Sequence, residues 1–385
     1  MRDCATFPEI MGILNVTPDS FSDGGKFFGA ENAVQHTLRL IDDGADIVDI
    51  GGQSTRPGYT KIEPEEECLR ILPVLRRLRL MNVLGSNTCV SMQDSDYLSA
   101  PIKDISKHLN LDQNGIVFNS CKASREMFSA NTSNLKVDNT SKNSVVPTSS
   151  YGTVKQNFKT KFSVDTYYPE VASEAANFGV SMINATYGFS NEDMCKIAKN
   201  NGTDCVVNHC GPASQTISFF EEQIEKLKNF GVAQSKIILD PGIGFGKNFL
   251  DDFNIIMNLQ KFRLEGFRVL IGISRKRVVK SLSFLLDNFF DENNKVSKKI
   301  MENDDEYVTN EDLKLVYSSA DFKKIRQLTK FFKSKLPENY LKEADSRDFL
   351  TGILNIIAYK NGADILRVHN VQLMKKMLDL YCLHF

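Results

Sequence analysis

Ile10-Met11-Gly12-Ile13-Leu14-Asn15-Val16-Thr17 is a short apolar run that closes on polar residues. A turn-rich stretch, Pro18-Asp19-Ser20-Phe21-Ser22-Asp23-Gly24-Gly25, follows it. Apolar side chains on both faces of such a run mark a strand covered on both sides, as in a parallel sheet flanked by helices. The same design recurs at Ala45 to Gly51, Phe162 to Thr166, Ser181 to Thr186, Thr203 to Asn208, Lys236 to Asp240, Arg268 to Ser274 and Ala363 to Val368. Turn or polar residues bound each run.

Helical spacing fills the intervals. Ala33, Leu38, Leu40 and Ile41 precede Gly44, which reads as a helix stop. Leu69, Leu72, Val74, Leu75 and Leu78 share a helical face, as do Ile224, Leu227 and Phe230, and Met374, Met377 and Leu378 near the end. Strand followed by helix, eight times, predicts an α/β fold, a (β/α)8 TIM barrel, with a doubly wound open sheet as runner-up. Two stretches break the rhythm and read as long insertions into one barrel domain spanning 1–385. The first, about 81–160, is rich in Ser, Asn, Thr and Lys, and is expected to be loosely packed. The second, about 281–344, holds an acidic patch, Glu302 to Glu306, and a basic stretch, Phe322 to Lys335. In the basic stretch Phe322, Ile325, Leu328 and Phe332 stand at helical spacing, which predicts a surface helix docked by its apolar side; a partner or membrane-surface helix is the alternative.

Composition narrows the function classes. The 47 basic and 48 acidic residues leave a net charge of −1, so no broad field draws nucleic acid or an anionic membrane. No apolar run reaches the roughly 18 residues of a membrane helix. The opening Met1-Arg2-Asp3-Cys4 lacks the apolar core of a signal peptide, and a first strand so near it leaves no room for a preceding folded domain. Eight scattered cysteines form no CxxC pair, which predicts reduced thiols rather than zinc. These features predict a cytoplasmic protein, with an organelle left open.

A barrel of this kind places its chemistry where strands end and βα loops begin. The strand ends carry Asn15, Asp49, Asp165, Asn184, His209, Asp240, Ser274-Arg275-Lys276-Arg277 and Arg367-Val368-His369-Asn370. Packing alone would place apolar or turn residues at many of these ends. Asp165, Asn184 and Asp240 offer acceptors and an amide suited to a fused heterocycle with an amino-pyrimidinone edge. Lys276, Arg367 and His369 suit a phosphate or a carbonyl oxygen, and Arg367 could also lie flat on a ring. Asn15 and Asp23 are oxygen donors suited to Mg2+. The glycine-containing loops after strands one and two read as covers for the site. His209 reads as a buried histidine outside the ligand contacts. Gly242, Gly244 and Gly246 fit a ligand approaching the backbone better than a dinucleotide loop.

Met11 to Gly25 resembles the opening motif of dihydropteroate synthases nearly residue for residue. Asp49-Ile50-Gly51-Gly52-Gln53-Ser54-Thr55-Arg56-Pro57-Gly58 resembles the second motif of that family. Ser163 to Thr166, Asp240 to Gly246, Ser274 to Lys276 and Arg367 to His369 match four more, in order, so the resemblance covers about 8–384 apart from the insertions. With its two insertions it resembles the eukaryotic type of this pterin-binding TIM-barrel family.

The resemblance implies a transferase that moves an alkyl group other than methyl: p-aminobenzoate displaces pyrophosphate from a dihydropterin CH2 group, in folate biosynthesis. It implies that Asp165, Asn184, Asp240 and Lys276 grip the pterin, with Arg367 stacking on it and Val368 also binding substrate. Asn15 and His369 would hold the pyrophosphate, with Mg2+ at Asn15. Asp23, Thr55 and Arg56 would come from the covering loops, and Asp23, Arg56 and Lys276 would take the catalytic roles. Phe21, Pro57 and Phe245 would pack around p-aminobenzoate. The family also implies a homodimer, small-molecule partners and a sulfonamide target.

The chain departs from the family at Ala185-Thr186-Tyr187-Gly188, where an Asp and a small-residue turn are usual, and at Val207-Asn208-His209-Cys210-Gly211. Asn370 replaces a usual Asp, and Arg277 replaces a small hydroxyl residue found in many bacterial members. A pterin-binding protein without turnover, or a scaffold, stays open as an alternative, and so does a pterin-dependent methyltransferase.

Overall fold

The structure, a computed structural model, describes residues 7–17, 25–53, 60–81, 83–84, 159–288, 310–338, 340 and 346–384. Eight strands close into a barrel in sequence order, every neighbouring pair parallel: β1 Glu9–Asn15, β2 Ile47–Gly51, β3 Lys161–Asp165, β4 Met182–Ala185, β5 Asp204–Asn208, β6 Ile237–Asp240, β7 Arg268–Ile271 and β8 Ile365–Val368. The helices are α1 Gly25–Asp42, α2 Pro64–Leu80, α3 Pro169–Asn177, α4 Glu192–Asn201, α5 Thr216–Asn229, α6 Phe249–Met257, α7 Arg277–Asn288, α8 Asn310–Ser318, α9 Ala320–Lys335, α10 Ser346–Lys360 and α11 Val371–His384. The expected barrel is therefore the fold, and each expected strand overlaps an observed one. The seventh strand was expected to reach Ser274 and stops at Ile271. There the chain leaves the ladder for a turn, with the Lys276 amide donating to the Ile273 carbonyl at 3.1 Å.

Local chemistry sets the helix ends. Proline occupies the first turn of α2 and α3, where a missing N–H costs nothing. Asn191 caps α4, Ser319 caps α9, and Asn248 forms a capping box with Asp251 at α6. No helix among the described residues is long and apolar enough to cross a membrane.

Alternation along each strand divides the core in two. Outward side chains such as Ile10, Leu14, Val48, Ile183, Leu239 and Leu366 join one continuous layer between barrel and helices. Inward side chains Met11, Ile47, Met182, Val206, Ile238, Leu270 and Ile365 form a separate apolar floor inside the barrel. Glu9 closes the opposite, N-terminal end by pairing with Arg268 and with Lys161.

The second irregular stretch is partly described. Its α8 packs on α6 and α7, while α9 packs on α8 and α10. Phe322, Ile325 and Phe332 are buried on one side of α9, with Leu328 partly buried, as the spacing predicted. Of the first irregular stretch, 85–158 lies outside the described residues.

Two contacts at the C-terminal rim have measurable consequences. Gly242, at the exit of β6, has φ 72°, and a Cβ added there would lie 1.8 Å from the His209 carbonyl oxygen. Gly242→Ala is expected to cost roughly 3 kcal/mol from overpacking and left-handed strain together, read from the urea midpoint; an unchanged midpoint would refute this contact.

Glu67, in the first turn of α2, is buried, and its Oε2 accepts from Thr166 Oγ1 at 3.0 Å. Burial pushes its carboxyl up to about 7, opposed by the Thr166 hydrogen bond and reinforced by Asp165. The folded pKa lies above the ordinary 4.5, so this group's share of stability is complete below that value and is lost as pH rises through about 7. Glu67→Gln is expected to flatten that part of the stability–pH curve, gaining on the parent by up to about 3 kcal/mol at pH 8. Parallel curves for the two proteins would contradict it.

Candidate active site

One side-chain step beyond the apolar floor, the same strands change character. Asp49 follows Ile47 by two positions, Asn184 follows Met182, Asn208 follows Val206, Asp240 follows Ile238 and Arg367 follows Ile365. Period two keeps each pair on one face, so the strands that build the floor also build a polar layer above it. Asp165 joins the layer beside Gly51 and Asn184, and Asn208 lies beside Asp240.

Arg367 is the centre of that layer. Its Nε donates to Asp49 Oδ2 at 2.7 Å and its Nη2 to Asp165 Oδ2 at 2.7 Å. Asp49 Oδ2 also accepts from Asn184 Nδ2 at 3.0 Å, and Thr186 Oγ1 donates to Asp165 Oδ1 at 3.3 Å. Burial pushes the Asp165 carboxyl up to about 6; Arg367 opposes the shift and the Asp49 charge adds to it. Burial disfavours the Arg367 charge, but the two carboxylates outweigh it and raise the guanidinium pKa. One guanidinium between two carboxylates leaves a local excess of negative charge.

Across the mouth, Asp240 is buried and accepts from Asn208 Nδ2 at 3.0 Å and from the Gly242 amide at 2.8 Å. Burial raises its pKa, against the opposing charge of Lys276. Lys276 extends from the β7 exit, donates to the Ile243 carbonyl, and places Nζ 4.4 Å from the Phe245 ring centroid. Burial lowers its ammonium to about 8, with Asp240 pulling the other way. Gly272 borders both cations: a Cβ there would lie at ordinary contact distance, 3.8 Å, from both Lys276 Nζ and Arg367 Cδ.

The layer is incompletely satisfied. Asp49 Oδ1, Ser163 Oγ, Asn184 Oδ1 and Asn208 Oδ1 are buried without a hydrogen-bond partner. Buried acceptors are nearly always paired in folded proteins, so several converging on one mouth mark the place of a donor-bearing ligand.

His369 stands at the rim after β8, its Nδ1 2.9 Å from Ser274 Oγ. Asn15 ends β1, half-buried and level with Gly51. Val368, expected to bind substrate, points the other way: its side chain belongs to the outer layer facing the helices, because it alternates with Arg367, so it does not line the mouth. His209 is buried, with Nδ1 3.0 Å from Thr216 Oγ1 and 3.2 Å from Lys247 Nζ. Burial and the Lys247 charge depress it to about 4, so it is a neutral structural imidazole near pH 7. Phe21, Asp23, Thr55, Arg56 and Pro57 lie outside the described residues.

The structure brings Asp165, Asn184, Asp240, Lys276, Arg367 and Phe245 to one mouth, and adds residues to which the sequence reading gave no role. Asp49 was legible from its place two residues after Ile47. Asn208 shares that signal through Val206. Asp252, on α6, had none: it accepts from the Gly244 amide at 2.8 Å and fixes the loop after β6. Burial pushes its carboxyl up to about 6. Lys247 also had none, and it ties β5 to that loop through the carbonyls of His209 and Phe245 at 3.3 and 3.2 Å.

Comparison with known proteins agrees with this geometry. A family model described as pterin binding enzyme matches residues 11–95 and 151–299. The dihydropteroate synthase of Clostridium beijerinckii is 30% identical over 278 residues, covering 70% of this chain and 75% of that protein. The Bacillus subtilis enzyme of the same name is 31% identical over 278 residues, covering 70% and 71%. Among solved structures, a Clostridium difficile dihydropteroate synthase studied in the presence of pteroic acid superposes with a TM-score of 0.56 at 25% identity, covering 99% of this chain and 97% of that one. A Xanthomonas albilineans dihydropteroate synthase with 4-aminobenzoic acid shares the fold, with a TM-score of 0.58 at 24% identity and coverage of 97% and 92%. A family match over more than half of the sequence, with relatives at 30% and 31% identity covered over more than two thirds of their length, shows that the chain belongs to the pterin-binding enzyme family, with dihydropteroate synthases as its relatives.

Proposed function

We infer that the chain is a dihydropteroate synthase, joining 6-hydroxymethyl-7,8-dihydropterin diphosphate to p-aminobenzoate and releasing pyrophosphate, a step of folate biosynthesis. The observation that carries this reading is the cluster of buried, unpaired acceptors around the Asp49–Arg367–Asp165 bridge. An amino-pyrimidinone presents adjacent N–H donors, and Asp240 with Asn184 supplies acceptors at one mouth. Lys276 supplies a donor for the ring carbonyl. Arg367 has two of its N–H groups committed to carboxylates, which leaves its flat face for a ring.

The arylamine nitrogen forms a bond to the pterin CH2 carbon as the carbon–oxygen bond to diphosphate breaks, and the amine proton is released. Charge builds on the departing diphosphate and cation character on the carbon. The site therefore works by fixed electrostatics more than by a strong base. His369 and Asn15 lie on the rim where the diphosphate would emerge. Asn15 gives one neutral oxygen, which fits Mg2+ completed by phosphate oxygens and water, and no cluster of three His, Cys, Asp or Glu ligands occurs among the described residues. When bound, Mg2+ would neutralise diphosphate charge. Phe245 beside Lys276 gives a wall for the p-aminobenzoate ring. Asp23, Thr55 and Arg56 are proposed to cover the site, with Phe21 and Pro57 beside the second ring and Asp23 and Arg56 sharing catalysis with Lys276. The reading also includes one barrel domain with two insertions, a homodimer and a cytoplasmic setting.

Purified protein is expected to release pyrophosphate only when pterin diphosphate, p-aminobenzoate and Mg2+ are all present. Binding of both substrates without release would leave a pterin-binding protein and remove the synthase. Asp240→Ala is expected to weaken pterin binding by about 3 kcal/mol or more, the worth of two charged hydrogen bonds, by titration calorimetry; unchanged affinity would misplace the pocket.

The pH profile of kcat/KM is expected to fall below about 6, where Asp165 gains a proton, and above about 8, where Lys276 loses one. Lys276→Arg keeps its charge and should abolish the alkaline limb, whatever its absolute rate. Persistence of that limb would assign it to another group.

A further inference from the structure

In the turn that carries Lys276 and touches His369, the backbone adopts a conformation that needs support. Arg275 has φ 59°, in the left-handed region that non-glycine residues rarely occupy. The residue before it, Ser274, meets His369 twice: its Oγ is 2.9 Å from His369 Nδ1 and accepts from the His369 amide at 3.2 Å. The residue after it is Lys276. Arg275 therefore sets the direction of both neighbours.

Its side chain is gripped from outside the barrel. Arg275 Nε and Nη2 each donate at 2.8 Å, one to each carboxylate oxygen of Asp348 in the first turn of α10. The Asp348 side chain is 2% exposed. One helical turn on, Thr351 Oγ1 accepts from the Arg275 amide at 3.4 Å. A planar fork on a buried carboxylate fixes orientation as well as distance. The same helix α10 also packs against α9.

We propose that Asp348 is a positioning residue for the transfer reaction: by holding Arg275 left-handed it aims Lys276 into the pterin pocket and seats Ser274 under His369. Asp348 touches no substrate in this account. A strained residue persists only where its surroundings over-determine it, so loss of the clamp lets 274–276 relax toward an ordinary turn. This inference rests on the synthase reading, and the experiment separates the two.

Asp348→Ala, Asp348→Glu and the double variant Asp348→Ala with Arg275→Gly are compared with the parent protein. Asp348→Ala is expected to lower kcat/KM for pterin diphosphate about 100-fold, the scale of a misplacement near 1 Å. Its affinity for pterin diphosphate should fall further than its affinity for 6-hydroxymethylpterin, which lacks the diphosphate that His369 meets. Glycine adopts positive φ without strain, so the double variant should recover at least about 10-fold of the loss. Asp348→Glu should recover part of it, by restoring the ion pair. A purely structural role would lower the melting temperature and leave the kinetic constants and the affinity ratio of the folded fraction intact, which would overturn the proposal. A double variant no better than Asp348→Ala would overturn it as well. Should the parent protein release no pyrophosphate, the synthase reading fails, and the ratio of the two pterin affinities still decides the role of Asp348.

Discussion

The site depends on placing two carboxylates and one guanidinium in a region largely closed to water. Asp49 and Asp165 would each be costly to bury alone. Arg367 makes their burial tolerable by engaging both at 2.7 Å. The three groups come from β2, β3 and β8, and Arg367 lies 318 positions from Asp49 in the chain. Only closure of the sheet brings β8 next to β1 and so within reach of the second and third strands. The barrel is thus the device that lets distant charges neutralise one another, and the residual negative charge and unpaired acceptors are what remain for a ligand.

Around this bridge the loops are tied by cations. Lys247 holds β5 to the loop after β6, Arg277 donates to the Lys247 carbonyl at 2.7 Å, and Lys276 reaches the Ile243 carbonyl. The same region carries groups shifted in both directions: Asp165 and Asp252 upward, Lys276 and His209 downward. Burial is the leading cause in each, so one act of desolvation sets both acid and base behaviour at the mouth.

Much of the fold was legible because a barrel strand is read by simple rules: short, apolar on both faces, ended by a polar residue. Ile237–Asp240 fits those rules with hardly a residue to spare, and Met182–Ala185 departs only by ending one residue past its polar Asn184. The site was legible where strand alternation carried it, as at Asn184 and Asp240. Val368 shows the limit, since a motif groups it with Arg367 while alternation turns it to the opposite face. Asp252, Lys247 and Asp348 act through helices and loops whose distance from the mouth depends on three-dimensional packing. Nothing in their local sequence separates them from ordinary surface charges. Arg275 looked like one more basic residue in a run, and its positive φ and its two bonds to Asp348 appear only in three dimensions.

The apolar floor has a consequence for molecules built to occupy this enzyme. Seven aliphatic side chains fill the barrel one layer below the polar ring. The floor therefore limits how far down the barrel axis anything entering the mouth can reach. Chemical growth at the deep edge of an inhibitor meets hydrocarbon that cannot yield without repacking seven strands. Toward the loops after β6 and β7 the same mouth is bordered by polar groups instead, the Ile243 carbonyl and the Lys276 ammonium.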